Sequence, residues 1–260
     1  MSPGPALAHR RLRPAAALLL AAASLGCAER GATPIGPGAV LSAHDEQGSA
    51  VTLRIESVEP DAKDAEGEVF LYQVSVRDPA GGWHPYCLPD REGRTVAIPL
   101  QGSWDASRNH TASDTITFAC TNGALAKCVR WGYKPWKTVN GVSLADYHQA
   151  CVHMVPADYC GDGKAHTRDG TKIDVWDHLG IQKREPEPDL LFEAAWSPRG
   201  AVYLQKPRYG ETLESIVAAC PDRLRGHTAL DAPGLDEQAI AARWPEALLF
   251  TESRVLTEMP

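Results

Sequence analysis

The sequence has no stripe or cluster of basic residues. Its 26 lysine and arginine residues are outnumbered by 33 aspartate and glutamate residues, and the formal net charge is −7 at pH 7. Proteins that bind nucleic acid neutralise phosphates with a concentrated positive surface. The composition therefore argues against a nucleic-acid partner, and the acidity favours solubility.

The N-terminal region has no hydrophobic run long enough to cross a membrane. Residues 14–25 are rich in alanine and leucine and follow a basic segment at residues 10–13, but a bilayer-spanning helix needs about 20 apolar residues. A basic segment followed by a short apolar run is typical of an export signal. We therefore interpret residues 1–26 as a signal peptide rather than a transmembrane helix.

The segment Ser24-Leu25-Gly26-Cys27 resembles a bacterial lipobox, although Ser24 stands where leucine is usual. It predicts a lipid on Cys27, which would anchor the protein to a membrane of the cell envelope. Cleavage near residues 21–23, giving a soluble secreted protein, is the alternative. Residues 27–38 include the anchor and a tether rich in glycine and proline, with too few apolar side chains to pack.

Closely spaced cysteine pairs, which structural zinc sites favour, are absent from the sequence. If Cys27 carries lipid, six of the seven cysteines remain, an even number in an exported chain, where disulfides persist. We therefore predict disulfides rather than a zinc site, and the sequence does not distinguish among the possible pairings. The candidates are Cys87, Cys120, Cys128, Cys151, Cys160 and Cys220.

Hydrophobic and polar residues alternate in four segments between residues 39 and 118. Val51, Leu53 and Ile55 form the first set, and the others lie within residues 70–76, 96–100 and 116–118. A period of two residues is typical of a half-buried strand. With turn residues between the segments, residues 39–118 predict an antiparallel β meander.

The pattern becomes helical after residue 118. A first helix is predicted from Leu125 to a stop at Gly132. A second is predicted from a Ser143 cap, with His148 inside its apolar stripe and His153, 5 residues further on, facing solvent. Both helices place a cysteine on the buried side.

The remaining chain predicts short hairpins and two further helices. Asp169-Gly170 is typical of a two-residue hairpin turn. A second hairpin is predicted between residues 190–196 and 201–205, and helices are predicted after a Thr212 cap and over residues 236–244. The sequence as a whole predicts a disulfide-stapled α+β fold, with residues 119–260 forming one globular unit with residues 39–118.

Several ordered blocks resemble the ADYC-domain family of exported bacterial proteins. The tetrapeptide Ala157-Asp158-Tyr159-Cys160 is the one that names the family. The supporting blocks are residues 118–120, 126–133, 148–151 and 161–167. The resemblance is strong over about residues 118–205, weaker over the preceding strands, and implies an exported, often lipid-anchored protein. It implies no established activity, so no catalytic residue can be carried over.

An acid–base pair is one candidate function. Asp158 next to Tyr159, with His148 brought near by a disulfide, would provide the titratable groups of a secreted hydrolase. The alternative for His148 is a hydrogen-bonded histidine of the core.

A divalent cation is a further possibility, although no cofactor is predicted. Asp162, Asp169 and Asp174 are weak candidates as metal ligands, with His166 close by in the sequence. Hard cations require several such oxygens. Aspartates that only stabilise turns are the alternative.

Aromatic residues in a proline-containing loop offer a binding function instead. Trp131, Tyr133 and Trp136 follow one another closely, and such residues can stack on a sugar or anchor a partner. Covering a small core is the alternative. The sequence thus predicts a cell-envelope lipoprotein that binds an extracellular ligand or partner. The second hypothesis is a secreted hydrolase, with or without the assistance of a metal ion.

Overall fold

A computed structural model of the protein describes residues 35–45 and 48–254. The predicted signal peptide, Cys27 and most of the predicted tether lie outside the described residues. The strands are β1 (Val40–His44), β2 (Ala50–Pro60), β3 (Phe70–Arg77), β4 (Trp83–Pro85), β5 (Val96–Trp104), β6 (His110–Cys120), β7 (Thr138–Val139), β8 (Val142–Ser143), β9 (Ile173–Asp177), β10 (Leu190–Ser197), β11 (Gly200–Leu204) and β12 (Leu249–Arg254).

The helices are short. They are α1 (Ala124–Arg130), α2 (Ala145–Met154), α3 (Leu213–Ala219), α4 (Pro221–Leu224) and α5 (Glu237–Arg243). Thr212 and Asp236 cap α3 and α5 by accepting the amides of Ser215 at 3.2 Å and Ala239 at 2.8 Å. The helices predicted after Thr212 and over residues 236–244 are thereby confirmed.

The first sheet is an antiparallel meander, as the alternating pattern predicts. Its strands lie in the order β1-β2-β3-β5-β6, and β4 pairs with β3. One face packs against α1 through Leu71, Ile98 and Val129. The opposite face buries Ile55, Val74 and other side chains.

The end of the predicted tether packs, contrary to expectation. Gly38 donates its amide to the carbonyl oxygen of Ile55 at 2.7 Å, and Ile35 lies half-buried against the core of the first sheet. Residues 35–38 therefore pack on the first sheet, through the Ile35 side chain and the Gly38 hydrogen bond.

The second sheet is covered on both faces. Its four strands lie in the order β11-β10-β12-β9, all antiparallel. Ala194 and Trp196 of β10 share a buried cluster with α2, whereas Ala195 between them shares one with Ile240 of α5. This alternation shows that β10 is buried on both of its faces.

Two local predictions are wrong. Ser143 ends β8 rather than capping α2, which begins at Ala145 without a side-chain cap, and the Ser143 hydroxyl accepts only the amide of Ala145 at 3.2 Å. Asp169 and Gly170 form a turn, but residues 161–168 directly before it form no strand, and β9 after it pairs with β12 instead. The backbone hydrogen bonds of β9 are made with β12, which is distant in the sequence, rather than with a neighbouring strand of a local hairpin.

All six candidate cysteines are paired, and the disulfide-stapled α+β prediction is confirmed. The bridges are Cys87–Cys120, Cys128–Cys151 and Cys160–Cys220. Three disulfides are typical of an oxidising compartment outside the cytosol. Among the described residues, no helix combines the length and the apolar character needed to cross a bilayer.

Candidate functional site

Helix α2 is buried on every side, which corrects the prediction that His153 faces solvent. Its residues 147–154 are all buried, because the helix packs against both α1 and the second sheet. His153 is fully enclosed. Its Nδ1 donates to Asp158 Oδ2 at 3.0 Å, and its Nε2 accepts the Gln149 amide at 2.9 Å.

Asp158 anchors the turn that follows α2. Its carboxylate accepts the amides of Gly163 at 2.9 Å and Asp162 at 3.1 Å, and Arg108 Nη1 lies 3.2 Å away. Burial favours a raised pKa for Asp158, but the hydrogen bond from His153, with help from the Gly163 amide and the charge of Arg108, holds its pKa below the usual value. The carboxylate therefore stabilises the turn as an ion.

The turn also binds the hairpin loop between β5 and β6. Arg108 of that loop donates to the carbonyl oxygen of Gly163 at 2.6 Å. Gly163 has a φ of +89°, and a Cβ there would lie 2.3 Å from the carbonyl oxygen of Ala106. Only glycine allows the two backbones to approach so closely.

Tyr159 points the other way, into the second sheet. Its hydroxyl donates to Glu193 Oε1 at 2.9 Å and accepts the amide of Arg208 at 2.7 Å. Arg208 Nε contacts both Glu193 oxygens, at 3.1 and 3.0 Å. Burial and the Glu193 charge raise the pKa of Tyr159 well above its ordinary value, so this hydroxyl remains protonated.

His148 takes no part in either network. Its Nε2 lies 3.1 Å from the carbonyl oxygen of Leu125, to which it donates. Burial lowers the pKa of His148 to about 4, so the imidazole is neutral at ordinary pH. The predicted group of Asp158, Tyr159 and His148 is therefore not assembled, and Asp158 pairs with His153 instead.

His166 pairs with a carboxylate that the sequence did not single out. Its Nδ1 bonds to Glu211, and its ring lies 5.4 Å from that of Tyr159, centroid to centroid. Its Nε2 is buried without a hydrogen-bond partner among the described residues. His166 thus helps to hold the segment after the turn against the chain that precedes α3.

The three candidate metal ligands lie apart, Asp162 in the bend after α2, Asp169 in a turn and Asp174 in β9. Asp162 Oδ1 accepts the amide of Lys164 and Asp174 Oδ2 that of Glu185, each at 2.9 Å, while Asp169 occupies an exposed turn. In the part of the chain that the structure describes, no group of three or more histidine, cysteine or acidic side chains is placed to hold a metal ion.

The aromatic loop covers the core. Tyr133 is completely buried, and its hydroxyl donates to Asp177 Oδ2 at 2.9 Å. Trp131 and Trp136 are half-buried and pack against the clusters next to α2 and α1, respectively. Of the three aromatic residues, only these two tryptophans remain partly accessible to solvent.

A cleft of about 380 Å³ opens beside the turn. Five ionisable side chains line it, together with Ala201 and Val202. They are Arg199, Asp222, Arg223, His227 and Glu246. None of these was predicted from the sequence, because they come from the β10–β11 turn, from α4 and from loops that no motif connects.

The turn after α2 supports one wall of the cleft. A Cβ on Gly161 would lie 2.1 Å from the carbonyl oxygen of Arg199, and Ala201 donates its amide to the carbonyl oxygen of Tyr159 at 3.0 Å. The β10–β11 turn that carries Arg199 is therefore packed backbone to backbone on residues 159–161.

The opposite wall is tied to the same turn covalently. Cys160 bonds to Cys220, and α4 with Arg223 begins at the next residue. His227 follows α4 and donates from Nδ1 to the carbonyl oxygen of Val202 at 3.0 Å. The buried motif thus fixes the relative positions of the charged side chains of the cleft.

Comparison with known proteins identifies one family. The family model of the ADYC domain matches residues 37–210, a range that includes the first sheet, α1, α2, the turn and the β10–β11 hairpin. The search of curated proteins and the search of solved structures each found no match.

Proposed function

The chain belongs to the ADYC-domain family. We propose that it is a cell-envelope lipoprotein that binds an extracellular ligand in the cleft beside the turn of residues 157–163, called the ADYC turn below. The disulfides support export into an oxidising compartment. The lipobox-like segment before Cys27 supports a lipid anchor on that residue.

The cleft is the observation that carries the binding function. It combines solvent access with ionisable side chains that form no ion pair with any residue of the described chain. Small-molecule sites are concave and contain a few convergent polar groups. The ADYC turn holds the β10–β11 turn and α4 in fixed positions, and side chains that are already positioned lose little conformational freedom when a ligand binds.

A hydrolase that uses Asp158, Tyr159 and His148 requires at least one of these groups to reach a substrate. All three side chains are buried, and each is engaged in the hydrogen bonds described above. This arrangement favours binding over hydrolysis.

The anchor is tested by labelling exporting cells with a radioactive fatty acid and fractionating their membranes. We expect the wild-type protein to be labelled and membrane-bound, and the Cys27→Ala variant to be unlabelled and released. Ser24→Leu, which restores the usual lipobox residue, is the matched control and should remain labelled. A membrane-bound but unlabelled wild-type protein would exclude the lipid anchor.

The binding function is tested with a small-molecule extract of the cell envelope. We expect the extract to raise the melting temperature of the wild-type protein and of Arg225→Gln, but not that of Arg223→Gln. Arg225 lies two residues beyond Arg223 and is exposed outside the cleft lining, which makes it a suitable control. An equal shift in all three proteins would place the ligand elsewhere.

A further inference from the structure

Arg199 and Arg223 line the same cleft without a neutralising partner. Neither guanidinium has an ion pair or a side-chain hydrogen bond with any residue that the structure describes. Burial and the like charge of Arg199 lower the pKa of Arg223, while the charge of the buried Asp158 acts in the opposite direction. Two neighbouring guanidinium groups that are not ion-paired with a carboxylate form a ready site for an oxyanion.

The other polar groups of the cleft limit the charge of that oxyanion. Asp222 and Glu246 bring two negative charges to the lining, which equal in number the positive charges of the two arginines. A doubly charged phosphate would be repelled by these carboxylates, whereas a single carboxylate is matched by the arginines. The lining therefore favours a ligand with a single negatively charged group over a dianion.

The same groups accept hydrogen bonds. Nδ1 of His227 carries the proton that it donates to the carbonyl oxygen of Val202, which leaves Nε2 as an acceptor in the neutral ring. Together with the oxygens of Asp222 and Glu246, this nitrogen suits a ligand that has donors close to its anionic group.

We propose that the cleft binds the carboxylate of a small extracellular ligand that also carries an amine or hydroxyl group. The guanidinium groups of Arg199 and Arg223 hold the carboxylate, and the acceptors of Asp222, His227 and Glu246 receive the donor. A cleft of about 380 Å³ accommodates an amino acid, a hydroxy acid or a dipeptide. This assignment rests on the proposed ligand-binding function and specifies its ligand class.

Calorimetric titration of the exported, disulfide-bonded protein tests the assignment. The probes are glycine, lactate and alanyl-alanine, with alanyl-alanine amide as the matched compound that lacks the carboxylate and inorganic phosphate as the dianion. We expect at least one carboxylate probe to bind. Arg199→Gln and Arg223→Gln should each weaken that binding about tenfold or more, because each removes one charge-assisted contact, whereas Arg225→Gln should leave it unchanged.

Three results would overturn the assignment. They are the failure of all three carboxylate probes to bind at millimolar concentration, equal binding of alanyl-alanine and its amide, and tighter binding of phosphate than of every carboxylate. If the envelope extract still stabilises the wild-type protein but not Arg223→Gln, the cleft binds a ligand of another class and the proposed function stands. If the extract also has no effect, the binding function itself fails.

Discussion

The ADYC turn and the cleft beside it contain the same types of charged residue but use them in opposite ways. In the turn, Asp158 is fully buried and contacts His153, Arg108 and two backbone amides. In the cleft, Arg223 is half-buried and has no ion pair within the described chain. Charges that are paired and enclosed hold the fold together, whereas charges left unpaired at an opening are available to a ligand.

The difference follows from the cost of removing a charge from water. A buried ion is tolerated only when hydrogen bonds and opposite charges replace its hydration. Glu193 and Arg208 satisfy this requirement, with side-chain exposures of 0% and 1%. Arg199 is exposed, so its guanidinium keeps water until a ligand replaces it.

Replacing Asp158 should produce the largest loss of stability. Asp158→Asn leaves the positive charge of Arg108 and the proton of His153 without their carboxylate, and we expect the free energy of unfolding to fall by about 3–5 kcal/mol. Urea denaturation under oxidising conditions measures the change. Asp162→Asn alters an exposed turn and should cost about 1 kcal/mol or less, so equal losses in the two variants would contradict the buried ion-pair role.

Removing the Cys160–Cys220 disulfide, which joins the turn to α4, should produce the second largest loss of stability. The bond between Cys160 and Cys220 closes a loop of 60 residues, and its loss in the Cys160→Ala/Cys220→Ala double variant should cost about 4 kcal/mol by the chain-entropy model. The same variant should also lose ligand binding, because α4 is no longer fixed to the turn. Denaturation and the envelope-extract assay measure the two effects separately.

The double variant Cys128→Ala/Cys151→Ala is the control for that experiment. Its bridge joins α1 to α2 and lies away from the cleft lining. We expect it to lose stability while a folded fraction still binds. Loss of binding in both double variants at conditions where each is folded would contradict the role of the Cys160–Cys220 bridge in positioning the cleft.

Acid should lower the stability of the protein through His148, which is buried and neutral in α2. The pKa of His148 is lowered from 6.5 to about 4, so between these values the unfolded chain takes up a proton that the folded protein does not. The contribution of His148 is present in full above pH 6.5 and is lost as the pH falls towards 4, by about 3 kcal/mol in total.

The measurement is urea denaturation at a series of pH values. His148→Gln keeps a donor for the Leu125 carbonyl oxygen but does not titrate, so its stability should fall less between pH 6.5 and 4 than that of the wild-type protein. If the free energy of unfolding falls equally with pH in the two proteins, protonation of His148 does not cause the loss of stability between pH 6.5 and 4.

The smallest effect on stability is expected in the cleft. Arg199→Gln and Arg223→Gln remove charges that pair with no described residue, so the free energy of unfolding should change by about 0.5 kcal/mol or less. A small gain is expected for Arg223→Gln, because it relieves repulsion from Arg199. A loss as large as that of Asp158→Asn would show that the arginines maintain the fold, and the comparison between turn and cleft would fail.

The sequence predicted those parts of the fold that depend on short-range patterns. Period-two alternation predicted the meander, and Thr212 predicted the start of α3, because strand faces and helix caps are determined by residues close in the chain. The even number of cysteines predicted disulfides. The pairing remained open, since Cys160 and Cys220, for example, are 60 residues apart in the chain.

The candidate site was less predictable because its contacts are distant in the sequence. His153 was expected to face solvent on the assumption that α2 has one buried face, and the structure buries all of its faces. Asp158 is 50 residues from Arg108, and Tyr159 is 34 residues from Glu193. No local pattern connects such residues, and the same holds for the arginines of the cleft.

The disulfides join cysteines that are neighbours in chain order: Cys87 with Cys120, Cys128 with Cys151, and Cys160 with Cys220. In a chain that crosses a membrane N-terminus first, the first cysteine of each pair emerges after the earlier pairs are complete. The next cysteine to emerge is then its native partner. Oxidation in order of arrival therefore produces the native set without reshuffling.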